Sequence, residues 1–166
     1  MAPSKSDQLY NIVNPQIDDV FRLGKELMNR SRNTLGSIHK GGNEDRRFRE
    51  FYGVSAITVL ATWDRLQEED LTPAGGKFIH LLWTLLFFKL YGTETDLCAH
   101  AGGVYGAIDP KTFRRWTWPM AHALAELEYF VVSELQTPCT HAISLLLNSN
   151  IFLLFFYLRF FSKIDT

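Results

Sequence analysis

Three cations in the middle of the chain are the residues whose type and spacing most clearly indicate chemistry. Lys111, Arg114 and Arg115 follow Asp109-Pro110, which predicts a helix start because aspartate caps helices and proline suits the first helical position. A helix that begins this way presents side-chain cations, free backbone N–H groups and the positive end of its dipole to one anionic surface. Nucleic acid is the first such surface to consider.

The helix that carries these cations is predicted to have two distinct faces. Apolar residues recur at spacings of three and four and form one stripe: Phe113, Trp116, Met120, Leu124, Leu127 and Val131. The cations, together with Trp118 and His122, centre on the opposite side. Trp118 is either an exposed aromatic that stacks on bases or a residue that fills a packing gap. Pro119 predicts a kink rather than a break, because the stripe keeps its phase through the proline.

A second group of cations lies nearer the N-terminus. Eight Lys and Arg residues stand against three acids between positions 20 and 49, although the formal net charge of the chain is only −1. Any basic footprint must therefore be local. Arg46, Arg47 and Arg49 are candidate phosphate contacts, and a solvated charged helix face is the alternative interpretation.

Other chemistries find less support in the sequence. The triplets Cys98-Ala-His100 and Cys139-Thr-His141 nominally give four zinc ligands, but their spacing matches no usual structural site. No nucleophile and base pair or phosphate loop is present, since GGVYG lacks both the lysine and the strand that a P-loop needs. We therefore predict no metal and no cofactor. The two cysteines make no disulfide framework and favour a reducing compartment.

The elements that position the cations are all predicted to be helical. With 166 residues, 46% of them apolar, the chain can bury one core, and no segment alternates with a period of two. The sequence predicts, in order, a loose arm over 1–16, a helix capped by Asp18 or Asp19 that runs to Arg30, a linker over 31–43, a basic helix from Glu44 to Tyr52 stopped by Gly53, and a helix capped by Ser55 that runs toward Glu69.

The central helices follow a turn over 71–76. An all-round apolar helix, FIHLLWTLLFFKLYG, is predicted to lie at the centre of a bundle and to end at Gly92. Thr93 then caps a short helix that reaches Ala101, and a glycine-rich turn leads to Asp109. The prediction is an all-α bundle with a helix-turn-helix between Gly92 and Pro119 and a similar corner between Glu44 and Leu66.

These segments carry a family resemblance. FREFYGVSAITVLATWDRL, HLLWTLLFFKLYGTETDL and DPKTFRRWTWP resemble the helical N-terminal region of DDE-type transposases of the PIF/Harbinger kind, over about residues 44–132. The resemblance implies DNA binding through a helix-turn-helix. By resemblance, the recognition helix begins at Asp109, and Lys111, Thr112, Arg114 and Arg115 are the expected contacts.

The sequence departs from that family after Val132. Family members continue into an RNase H-like domain whose three carboxylates hold two metal ions, and no such carboxylate set follows here. The remaining acids are expected on helices or caps: Asp96, Asp109, Glu126, Glu128 and Glu134. We therefore expect no nuclease or transposase activity from this chain by itself.

The tail after the helical domain, 137–166, contains one strongly apolar segment. Fifteen of the twenty residues in 142–161 are apolar, which is about one bilayer span. A membrane anchor, a helix packed on the domain, and a read-through tail of a truncated gene are three open interpretations.

Three functions follow from these features. The leading hypothesis is a non-enzymatic domain, residues 44–136, that binds double-stranded DNA and would be nuclear. The second is a helical protein-interaction module whose cationic face docks an acidic partner. The third is a small membrane protein anchored by 142–161.

Overall fold

The computed structural model describes residues 12, 14–29, 44–90, 92–103 and 106–135. Six helices occupy these ranges: α1 (Ile17–Asn29), α2 (Glu44–Tyr52), α3 (Ala56–Glu68), α4 (Phe78–Lys89), α5 (Glu94–Ala101) and α6 (Pro110–Leu135). The described residues contain no strand, and the prediction of an all-α bundle is confirmed. Most of the predicted arm, the linker over 31–43 and the tail over 137–166 lie outside the described residues.

Helix α4 forms the centre of the bundle, as its all-round apolar sequence predicts. Every residue from Phe78 to Leu86 is buried, and α6 packs along it, with α2 and α5 against its other sides. The prediction that α4 ends at Gly92 is wrong. The helix ends at Lys89 because Leu90, which packs partly buried against the core, already has an extended backbone.

The connection between α2 and α3 is short and follows its local signals. Gly53 has a φ of 84°, a left-handed conformation that glycine adopts without strain and that ends α2. Ser55 then caps α3, its hydroxyl accepting a hydrogen bond from the Thr58 N–H at 3.2 Å. The predicted boundaries of both helices are confirmed.

Helix α1 buries Val20, Leu23 and Leu27, which recur along the sequence at helical spacing. Its predicted cap is wrong, because α1 already begins at Ile17 and places both Asp18 and Asp19 in the first turn. The Gln16 carbonyl accepts from the Val20 N–H, and the Asp19 carboxylate reaches back to accept from the Gln16 N–H at 3.0 Å. A carboxylate within the first turn can therefore accept a hydrogen bond from a backbone N–H that precedes the helix.

Only the described residues can be tested for a helix that crosses a membrane. Over the ranges that the structure describes, no helix has both the length and the apolar character needed to cross a bilayer. The candidate segment 142–161 lies outside those ranges.

Candidate nucleic-acid interface

Helix α6 begins as its sequence predicts. The Asp109 carboxylate accepts a hydrogen bond from the Thr112 N–H at 3.0 Å, and Pro110 occupies the first helical position. The helix then continues without interruption through Pro119 to Leu135. The prediction that the proline does not break the helix is confirmed.

The buried side of α6 includes the predicted stripe and is wider than predicted. Phe113, Met120, Leu124 and Leu127 are buried, and so are Thr117, Ala121 and Ala123. Trp116 is half-buried, and the side chain of Val131 lies outside the described part of the chain. The additional residues are small or polar, so hydrophobicity alone does not mark them as part of the face that packs on α4.

The exposed side of α6 carries all five of its predicted DNA contacts. Lys111, Thr112, Arg114, Arg115 and Trp118 are each exposed. No large apolar residue of the buried stripe interrupts this surface, which we call the α6 cationic face and define by these five residues. The structure therefore brings the predicted contacts of α6 together on one face.

The backbone of α6 contributes less to this face than the sequence predicts. Pro110 has no N–H group, and the Asp109 carboxylate already accepts from the Thr112 N–H. Two of the first donors of the helix are thus removed from an incoming anion. The positive character of the face rests on its side chains rather than on free backbone N–H groups.

Arg114 makes the contact that sequence reasoning missed. Its Nε atom lies 2.9 Å from Oε1 of Glu94, the first residue of α5, and both side chains are about half exposed. In the sequence, Glu94 has a sufficient local explanation as an acid in the first turn of a helix. The contact depends on how α5 and α6 pack together, which no local pattern reports.

Trp118 is partly packed and partly exposed. Its ring centroid lies 5.7 Å from that of Phe87 on α4, yet 47% of the residue is exposed. Trp116 has a different environment, stacked on His80 with a centroid distance of 4.2 Å and nearly parallel planes. The Arg115 guanidinium lies 5.5 Å from the Trp116 ring centroid, within the range of a cation–π contact.

The cations of α2 are placed separately from this face. Arg46 pairs with Glu50 at 3.0 Å and Arg49 pairs with Asp45 at 2.9 Å, both within α2. Arg47 is half-buried. Helix α2 packs mainly against α1, α3 and α4, whereas α6 packs mainly against α4. Phosphate contact by these three arginines stays a prediction, and carboxylates of their own helix balance two of them.

The corner between α5 and α6 is longer than the turn of a compact helix-turn-helix. Eight residues, 102–109, separate the helices, where that motif uses three or four. The connection folds back on α5, since the Ile108 N–H donates to the Cys98 carbonyl at 3.0 Å. The three-residue corner is the one between α2 and α3, but α3 has no basic residue in its first turn and exposes Ile57 there. By charge, α6 is the better candidate for contact with DNA.

Cys98 is buried on α5 beneath this connection. Burial raises the pKa of its thiol, and the Glu94 and Asp109 carboxylates raise it further. In the part of the chain that the structure describes, no three His, Cys, Asp or Glu side chains gather as a metal site would require. Cys139 and His141, the other nominal zinc ligands, lie outside that part.

His80 packs against Trp116, whose ring is also contacted by the Arg115 guanidinium. Its Nδ1 atom accepts a hydrogen bond from the Lys77 N–H at 3.0 Å, and its ring stacks on Trp116. Burial, and then the positive charge of Lys77, lowers the pKa of His80 from 6.5 to about 4. The neutral imidazole is therefore the form that the folded protein holds.

We expect the folded protein to lose stability as the pH falls from about 6.5 to 4. In that window the unfolded chain binds a proton at His80 and the folded chain does not. The loss should be on the order of 2 to 3 kcal/mol, since each pH unit across that window contributes up to about 1.4 kcal/mol. His80→Asn keeps an acceptor for the Lys77 N–H but does not titrate. Urea unfolding from pH 7 to 4 should give a flatter curve for the variant, and parallel curves would contradict the prediction.

Comparisons with known proteins add no relative to this description. No protein-family model matches the chain, and no curated protein or solved structure matches it. The resemblance to Harbinger-type transposases therefore stays a prediction that rests on the sequence segments alone.

Proposed function

We propose that this chain is a non-catalytic DNA-binding domain, related to Harbinger-type transposases, that contacts duplex DNA through the α6 cationic face. The observation that supports the proposal most directly is the exposure of Lys111, Arg114 and Arg115 on one side of a helix whose other side is buried. Such a helix can enter a major groove without disturbing the core. A protein with this function would act in the nucleus.

The charges around the face favour local contact over general attraction. The net charge of −1 gives the whole protein no long-range attraction to DNA. Lys111 and Arg115 form no ion pair with any described residue, so both can approach phosphate without releasing a carboxylate. Thr112 and Trp118 stand beside them and add a hydroxyl group and an aromatic edge.

The salt dependence of binding tests this proposal. We expect full-length protein to bind a duplex of mixed sequence, measured by fluorescence anisotropy over a series of salt concentrations. The variant Lys111→Ala/Arg114→Ala/Arg115→Ala should flatten the slope of log K against log salt by roughly 1.8 to 2.7, which is about 0.9 for each of two or three phosphate contacts.

A charge-matched variant controls for the loss of net charge. Arg22→Ala/Lys25→Ala/Lys89→Ala removes three exposed cations from α1 and α4, and the slope should stay near that of the unmodified protein. The proposal fails if the first variant leaves the slope unchanged, or if both variants flatten it equally.

A protein-interaction module is the second candidate, and one contact favours it. Arg114 already binds a carboxylate, Glu94, across two helices, and Trp118 and Phe87 form a partly exposed aromatic pair next to the cations. An acidic partner with an apolar residue would complement both features. Binding of an acidic, aromatic-containing peptide by a protein that does not bind duplex DNA would favour this candidate.

A further inference from the structure

The three cations of the α6 cationic face are held differently. Lys111 is exposed and unpaired among the described residues, and Arg115 lies against the ring of its neighbour Trp116. Arg114 alone is joined to another helix, by its ion pair with Glu94. An ion pair with a second helix favours some of the positions open to a free side chain, so less freedom is lost when the cation binds.

The atoms used in that ion pair determine what Arg114 can still do. Glu94 contacts Nε, and no other carboxylate of the described structure pairs with this guanidinium. A guanidinium is a planar fork of donors, and its geometry matches the O6 and N7 acceptors of a guanine edge in the major groove. Arg114 thus pairs with one carboxylate near Nε and keeps further N–H donors for recognition.

The ion pair also distinguishes the net charge around Arg114 from that around Lys111 and Arg115. Glu94 balances the charge of Arg114 and would repel a phosphate placed against the two residues. A base edge carries no net charge and does not suffer this repulsion. The pair is therefore better suited to a base edge than to the DNA backbone, while Lys111 and Arg115 keep their full charge for phosphate.

We propose that Arg114 reads a guanine in the major groove, that Glu94 is the positioning residue that orients it, and that Lys111 and Arg115 contact phosphate. This inference rests on the proposed function, since it names the DNA feature that the same face would recognise. It assigns separate roles to cations that the sequence presents as one group.

Selection from a library of random duplexes tests the assignment in the full chain. The unmodified protein should enrich a site with an invariant G·C pair. Arg114→Ala should lose discrimination at that pair by about 10-fold or more and leave the salt slope nearly unchanged. Lys111→Ala and Arg115→Ala should keep the base preference and each lower the salt slope by about 0.9.

Glu94→Gln separates positioning from simple repulsion. The change keeps the size of the side chain and removes its charge, and an exposed ion pair of this kind contributes little to stability, so the variant should fold. We expect weaker discrimination at the same G·C pair with undiminished affinity for other sequences. A uniform gain in affinity with unchanged base preference would overturn the role of Glu94.

The two proposals fail in different ways. Duplex binding without any base preference, or with a preference that survives Arg114→Ala, overturns the inference and leaves the proposed function standing. Absence of duplex binding at low salt overturns both.

Discussion

Replacing Trp63 with alanine is expected to lower the free energy of unfolding by about 3 to 5 kcal/mol, the largest effect we predict for any single substitution in this chain. Trp63 lies on α3 with 1% of its surface exposed, and its ring meets Phe78 of α4 edge to face at a centroid distance of 5.6 Å. Removal of the indole leaves a cavity between two helices that the surrounding side chains fill only in part.

Trp118→Ala is the matched control for this prediction. The chemical change is the same, but 47% of Trp118 is exposed and it packs on one aromatic neighbour. Its loss should therefore change the free energy of unfolding by about 1 kcal/mol or less. Urea unfolding of both full-length variants, followed by circular dichroism of the helices, compares them directly. Similar losses for the two variants would mean that the burial of Trp63 does not govern the stability of this core.

Local signals in the sequence predict most helix boundaries because the residues that set them lie within one turn. Ser55 and Thr93 each cap the helix that follows by accepting a backbone N–H three residues ahead. Asp109 does the same for α6. These bonds do not depend on the rest of the fold, so a side-chain type at a given position is enough to predict them.

The boundaries that the sequence misplaces depend on more distant interactions. Helix α4 has no glycine or proline at its true end, Lys89, and the residues on either side of that lysine, Phe88 and Leu90, are apolar like those within the helix. Packing of Leu90 on the core sets the extended backbone there. Propensity and breaker residues therefore predict a later end, at Gly92, and tertiary packing overrides them.

The candidate site likewise has features that the sequence predicts and features that depend on tertiary packing. The exposed positions of Lys111, Arg114 and Arg115 follow from helical periodicity, because they are set by the phase of one helix. The pair between Arg114 and Glu94 joins residues on two helices, as does the stack of Trp116 on His80. Neither pair is visible in sequence without the relative placement of α4, α5 and α6. The sequence thus predicts which residues face outward but not which of them are held in place.

Gly102→Ala is expected to destabilise the protein by about 1 to 3 kcal/mol, the cost of forcing an added group into a packed site. A Cβ atom at this position would lie 1.6 Å from the Gly106 carbonyl oxygen and 2.7 Å from the Gly106 carbonyl carbon. Both are backbone atoms, so no rotation of a side chain can make room. The connection between α5 and α6 would have to open, and with it the packing that places Glu94 beside Arg114.

Gly92→Ala provides the matched control for this second prediction. A Cβ atom there would meet the Asp96 Cβ at 3.4 Å, an ordinary contact, and the Gly92 backbone is not in the left-handed region. The substitution should be neutral or should stabilise the protein by about 0.4 to 1 kcal/mol, because alanine restricts the unfolded chain. Thermal and urea unfolding of the two full-length variants measure the difference. Equal stabilities would show that the chain relieves the contact between Gly102 and Gly106 without loss, and that this contact does not fix the geometry of α5 and α6.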